Sequence, residues 1–278
     1  MLLNKFTLND IIERAIQEDL GYGDLTTDNL IAASASSKAQ ITSKEEGVTA
    51  GLEIARAVFH QYDPDLKFKA LQKEGDKLQA GTVIAEVEGS TRSILKAERL
   101  ALNFLQRLSG IATKSREYVE LVEAYPAQIA DTRKTTPTLR MLEKYAVKVG
   151  GAKNHRMGLD DCVMIKDNHL KAAGSIKKAV KKIKANISHT TKIEIEIDQL
   201  PLLEEALAAE VDIILLDNMS PEELKKAVQI VDGRVILEAS GGITKENVAA
   251  IAASGVDIIS VGALTHQINS IDIALDLE

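Results

Sequence analysis

Cysteine occurs once in this chain, at Cys162, and positive charge is in deficit, with 34 Lys and Arg against 41 Asp and Glu. One cysteine excludes an intrachain disulfide, and in the context CVMIK it reads as a small buried hydrophobe rather than a nucleophile. The five histidines, His60, His155, His169, His189 and His266, lack zinc-ligand spacing, so no structural metal is expected. No apolar run approaches the roughly 18 to 20 residues that cross a bilayer. The opening MLLNKFTLND lacks the basic start, long apolar core and cleavage site of a secretory signal. A net charge of −7 excludes the broad basic face that nucleic-acid binding needs. The expectation is a cytoplasmic protein whose partners include neither membrane nor nucleic acid.

What is there suffices for a substantial core: 278 residues, 45% of them hydrophobic, enough for one large or two modest domains. Against the acidic background, the stretch from Arg133 to Arg156 carries seven cations, Arg133, Lys134, Arg140, Lys144, Lys148, Lys153 and Arg156, and one carboxylate, Glu143. Such a run is either a solvated helix face or a site for a small anionic ligand.

The opening pattern predicts a helix capped at Thr7, with Leu8, Ile11, Ile12, Ala15, Ile16 and Leu20 as its apolar stripe and Gly21-Tyr22-Gly23 as its stop. Short β-rich runs separated by turns follow from about 40 to 92. A helix from about Ser93 to Leu108, apolar on more than one side, is expected to end at Ser109-Gly110. Beyond about residue 126 the pattern becomes βα repetition. Six runs, AQIAD, CVMIK, KIEIEID, VDIILLD, RVILEA and VDIISVG, read as buried parallel strands of a barrel or an open sheet. Asp131, Arg133, Lys166, Glu196, Asp198, Asp217, Glu238 and Gly262 stand at their ends, where α/β proteins collect functional groups.

Period-2 alternation puts Glu194, Glu196 and Asp198 on one side of their strand. Glu194 there is a candidate partner for a strand lysine, Lys166, while Glu196 reaches the rim. Glu196 and Asp217, on adjacent strands, can hold a Mg²⁺ shell or accept from sugar hydroxyls. SGGI, from Ser240 to Ile243, and VGALTH, from Val261 to His266, place small residues between a strand and a helix start, as in phosphate sites and in ordinary tight turns.

These blocks resemble quinolinate phosphoribosyltransferases over essentially the whole chain. The resemblance rests on EDLGYGDLTT, ERLALNFLQRLSGIAT, DTRKTTPTLR, KYAVKVGGAKNHRMGLDD, IKDNH, EIEID, LLDN, EASGGI and VGALTH. It implies an N-terminal α/β sandwich domain over 1–110, joined by 267–278, and an incomplete, open parallel α/β barrel of about six strands over 111–266. It implies phosphoribosyl transfer from phosphoribosyl pyrophosphate to quinolinate with decarboxylation, giving nicotinate mononucleotide, pyrophosphate and CO₂ in NAD biosynthesis. By the same resemblance Arg133, His155, Arg156 and Lys166 line the quinolinate pocket, with Arg99 contributed by a neighbouring subunit of a homodimer or hexamer. Lys134 lies between acceptor and donor. Glu196 and Asp217 serve the ribose and, partly indirectly, Mg²⁺. Ser240, Gly241, Gly242, Gly262 and Ala263 hold the 5′-phosphate. After VGALTH the family commonly continues with a Ser-Ala-Pro segment, where this chain reads QINSIDIALDLE.

Plainer readings stand beside these. Arg99 is otherwise a solvated helix arginine, Lys166 a barrel lysine paired with Glu194, and His155 a satisfied loop histidine. A noncatalytic sugar-phosphate sensor is the alternative of another class.

Overall fold

In the computed structural model, which describes residues 3–278, helix α1 (Lys5–Leu20) starts earlier than its sequence pattern suggests. Asn4, not Thr7, is the cap: its side-chain oxygen accepts the N–H groups of Phe6 at 3.0 Å and Thr7 at 3.2 Å, satisfying donors that a first helical turn leaves open. Then follow α2 (Leu25–Leu30), β1 (Ser36–Ser43), β2 (Gly47–Val48), α3 (Leu52–Tyr62), β3 (Lys67–Ala70), β4 (Lys77–Leu78), β5 (Val83–Ser90), α4 (Thr91–Leu121), β6 (Gln128–Ala130) and α5 (Arg140–Val149). The remainder is β7 (Val163–Ile165), α6 (Asp167–Ala173), α7 (Ile176–Lys184), β8 (Ile193–Ile197), α8 (Leu203–Ala208), β9 (Ile213–Asp217), α9 (Pro221–Val231), β10 (Ile236–Ser240), α10 (Val248–Ala252), β11 (Ile258–Ser260), α11 (Ala263–His266) and β12 (Ile273–Leu277).

The chain divides into two units. The first holds the described residues up to Arg116 together with Thr135–Gly151 and Gln267–Glu278. Its antiparallel sheet runs β12-β1-β5-β3, so the chain's end completes the sheet begun near its start. Helix α3 lies in the region read as β-rich. Its Ile54, Ala55, Val58 and Phe59 are buried, and Glu74 accepts the N–H groups of Gly51 and Leu52 at its start. That cap comes from 22 residues downstream, which no local pattern announces.

Helix α4 continues through Gly110, the expected stop. A Cβ on Gly110 would lie 2.1 Å from the carbonyl oxygen of Asn269, so the glycine answers a close backbone approach rather than a helix end. With α4 unbroken, residues 111–116 stay in the first unit. So does 135–151, where buried Glu143 accepts Arg107 Nε at 3.1 Å and the Thr136 N–H at 3.1 Å.

The second unit, Glu117–Lys134 and Ala152–His266, contains all six expected parallel strands in the order β6-β11-β10-β9-β8-β7. The first strand pairs with the last, as in a singly wound barrel, and the arrangement stays open between β6 and β7. Along the open edge of β6 lies an extended segment with one parallel bridge, Ala130 to Lys153. The isoleucines of β8 are buried, and its glutamates occupy the other face by strand alternation.

Candidate active site

The C-terminal ends of the parallel strands gather most of the expected donor-side residues. Lys134, after β6, lies against the β11 loop: its Cδ is 3.0 Å from where a Cβ on Gly262 would stand. Thr265 Oγ1 donates to the Lys134 carbonyl at 2.6 Å. Lys166, just past β7, forms an ion pair with Glu196 of β8. This corrects the pairing of Lys166 with Glu194. Glu196 is in register with Leu215, so Asp217 lies diagonally across from it on the same face, within the range over which cross-strand side chains interact. Asp217 Oδ2 accepts from Asn218 Nδ2 at 2.8 Å and is in register with Ser240.

Gly241 and Gly242 follow with φ of 91° and 60°. A Cβ on Gly241 would lie 2.3 Å from Asn218 Oδ1, so only glycine lets this turn pass the Asn218 side chain. Ala263 opens α11, directly after Gly262. One rim residue escaped the sequence reading. Ser260, in register with Ser240, has a buried hydroxyl with no hydrogen-bond partner.

The acceptor-side residues are distributed differently. Arg133 lies half-buried in the loop after β6, and Arg99 is exposed on α4 in the first unit. Arg140, Lys144 and Lys148 also belong to the first unit, whereas Arg133, Lys134, Lys153 and Arg156 belong to the second. The cationic run is therefore divided between the two units, and Lys144 is fully buried. Arg156 Nη1 donates to the Cys162 carbonyl at 2.8 Å, before β7, while Lys166 follows that three-residue strand.

His155 lies between two buried acids. Its Nε2 is 3.2 Å from Glu194 Oε2 and 3.4 Å from Glu238 Oε1. Glu238, read as a strand-end residue, is mid-strand in β10 and 2% exposed. Burial opposes charge on His155, but the adjoining Glu194 and Glu238 carboxylates outweigh it and push the ring's pKa upward. Burial likewise raises Glu194, with the Glu238 charge adding to it. Nδ1 accepts the Arg156 N–H at 2.7 Å, so the ring hydrogen on Nε2 faces the two carboxylates. The three residues bring ligand atoms within 4.8 Å of one another, yet Nε2 presents a hydrogen rather than a lone pair. The donor set suits a shared proton better than a metal ion. The trio faces a cavity of about 300 Å³ lined by strand-start residues such as Gln128, Ile213 and Ile258.

Two family models cover this architecture: quinolinate phosphoribosyl transferase, N-terminal domain, over residues 24–109, and the C-terminal domain over residues 111–276. The chain belongs to the quinolinate phosphoribosyl transferase family. Within that family it is 44% identical over 275 residues to the probable nicotinate-nucleotide pyrophosphorylase [carboxylating] of Bacillus subtilis, covering 99% of this chain and 95% of that protein. The Synechocystis protein of the same name is 44% identical, covering 96% of this chain and 91% of its own. The nicotinate-nucleotide pyrophosphorylase structure from Francisella tularensis superposes with a TM-score of 0.96 at 40% identity, covering 100% of this chain and 98% of that one. The phosphoribosyl transferase fold, an antiparallel sheet unit with a six-stranded parallel unit, is as the sequence implied. Among the described residues no helix is long and apolar enough to cross a membrane.

Proposed function

We propose that the chain transfers phosphoribosyl from phosphoribosyl pyrophosphate to quinolinate and releases pyrophosphate and CO₂, forming nicotinate mononucleotide for NAD biosynthesis. The observation that carries this reading is the rim of the parallel unit, where Lys134 meets Gly262 and Lys166–Glu196 stands beside Asp217 and the Gly241-Gly242 turn. The 5′-phosphate sits on Ser240, Gly241 and Gly242 with Gly262 and Ala263, whose small side chains allow close approach of backbone N–H groups.

The dianionic acceptor lies along β7 between Arg156 and Lys166, with Arg133 from the same subunit and Arg99 from a second copy. His155 serves that pocket by holding Arg156 rather than by touching the acceptor. Charge-assisted hydrogen bonds from guanidinium forks contribute roughly 1.5 to 3 kcal/mol each, so a small site can retain a doubly charged ring. Its ring nitrogen attacks C1 of the ribose as the C1–oxygen bond to pyrophosphate breaks. Glu196 and Asp217 stabilise the positive charge that develops on the sugar, and Lys134 stabilises the departing oxygen. The positive charge on the quaternised nitrogen then stabilises the electron pair left on the adjacent ring carbon when its carboxylate departs as CO₂, and that carbon takes up a proton from water. The residues chiefly orient the two substrates.

Glu196 and Asp217 offer only oxygen atoms, a donor set suited to a hard cation. Because Glu196 already holds Lys166, Asp217 would be the more available residue to hold Mg²⁺. Mg²⁺ held there would supply charge neutralisation to the pyrophosphate.

The test is CO₂ release from purified protein given quinolinate, phosphoribosyl pyrophosphate and Mg²⁺, with nicotinate as the competing acid. Turnover with quinolinate and a much lower kcat/KM for nicotinate are expected, because the missing carboxylate leaves cations of the pocket unpaired. Comparable kcat/KM for the two acids would overturn the assignment.

A further inference from the structure

The Ala152–Arg156 segment at the open edge of β6 is held by two sets of buried acids. Asp131, fully buried, accepts the His155 N–H at 2.8 Å and Asn154 Nδ2 at 2.7 Å. Below it the His155 ring reaches between Glu194 and Glu238, carboxylates from strands that are not neighbours. Two strand spacings amount to about 9.6 Å, so both side chains must lean towards one point to meet the same ring nitrogen. Burying two carboxylates so close is costly in itself. Neither Glu194 Oε2 nor Glu238 Oε1 has a well-formed hydrogen bond. Strand packing alone would be served better by leucine at both positions, so the acids call for another explanation. The other edge of the ring accepts the backbone N–H of Arg156, and the Arg156 guanidinium is near enough to act on the Glu194 charge.

We infer that Glu194 and Glu238 are positioning residues for acceptor binding, acting through the His155 ring on Arg156. The inference rests on the reading of Arg156 as an acceptor contact. The ring is a strut between the barrel strands and the arginine backbone. Its orientation is fixed by the two carboxylates at Nε2, and its Nδ1 in turn fixes the start of the arginine side chain. Arg156 is the cation whose charge acts on the buried Glu194 carboxylate. An arginine held and balanced in this way keeps one rotamer ready for a carboxylate instead of losing that freedom on binding.

Four variants test the inference: Glu194→Gln, Glu238→Gln, Arg156→Ala, and Arg156→Ala combined with Glu238→Gln. Each glutamine keeps size and polarity but removes a charge. In both single glutamine variants KM for quinolinate is expected to rise about tenfold, with kcat and KM for phosphoribosyl pyrophosphate within about twofold. In the Arg156→Ala background, Glu238→Gln should add little further loss in kcat/KM for quinolinate, because two residues acting through one contact are not additive. If Arg156→Ala weakens quinolinate use but neither glutamine variant does, the positioning role is wrong and the acceptor reading of Arg156 survives. Equal losses towards both substrates, or full additivity in the double variant, would show a merely structural role and overturn the inference. An unchanged KM for quinolinate in Arg156→Ala would remove the acceptor reading itself, and the inference with it.

Discussion

Cys162 illustrates how one side chain takes its chemistry from its surroundings. Burial raises its thiol to about 11, the Glu194 charge adds to this, and Arg156 only partly opposes it. At pH 8 about one thiol in a thousand is then ionised, so alkylation by iodoacetamide should be at least about a hundredfold slower than for an ordinary cysteine. Timed mass spectrometry of the intact protein measures this directly, and labelling at the rate of a free thiol would contradict it. Glu143 is the opposite case, a fully buried carboxylate that answers Arg107 and the Thr136 N–H. Glu143→Ala leaves the guanidinium and that N–H without their acceptor and should cost about 3 kcal/mol, read as a lower urea midpoint with unchanged slope. Both roles were partly hidden in the sequence. The sole acid of the cationic run was visible, but its partner lies 36 residues earlier.

Among the elements, the parallel strands were the most legible, because strands buried on both faces must be continuous runs of Ile, Val and Leu. Helix limits were less so. The stop expected at Gly110 failed because local propensity cannot see Asn269, 159 residues later in the chain, pressing on the helix. Gly110→Ala tests which influence dominates. Helix propensity alone favours alanine by up to about 1 kcal/mol, whereas a methyl group 2.1 Å from a carbonyl oxygen forces backbone to move. The variant is expected to melt several degrees lower, and a rise in Tm would mean that Asn269 yields freely. At α1 the effect should be smaller: Asn4→Ala removes the cap and costs about 1 kcal/mol, seen as faster amide exchange in the first turn and little elsewhere.

At the scale of the whole molecule, the proposed function assigns Arg99 to the site of a second copy. Arg99→Ala and Arg133→Ala should each be inactive alone yet complement when mixed under subunit exchange. Half of randomly paired dimers are mixed, and each carries one intact site of two, so about a quarter of wild-type activity should return. Continued inactivity, with exchange verified by mass spectrometry, would return Arg99 to the role of a solvated helix arginine.

The sequence by itself determined the class of fold, the six strands, the rim glycines and the family, since each depends on residue types within short windows. Only the tertiary structure decided which charges meet. Lys166 turned to Glu196 rather than Glu194, His155 settled between Glu194 and Glu238, and the seven cations of one segment parted between two units. Alternation tells which face of a strand a side chain takes, but its partner depends on strand order and register. That order joins β6 to β11 across 128 residues of chain, from Ala130 to Ile258, a separation at which no local pattern carries information.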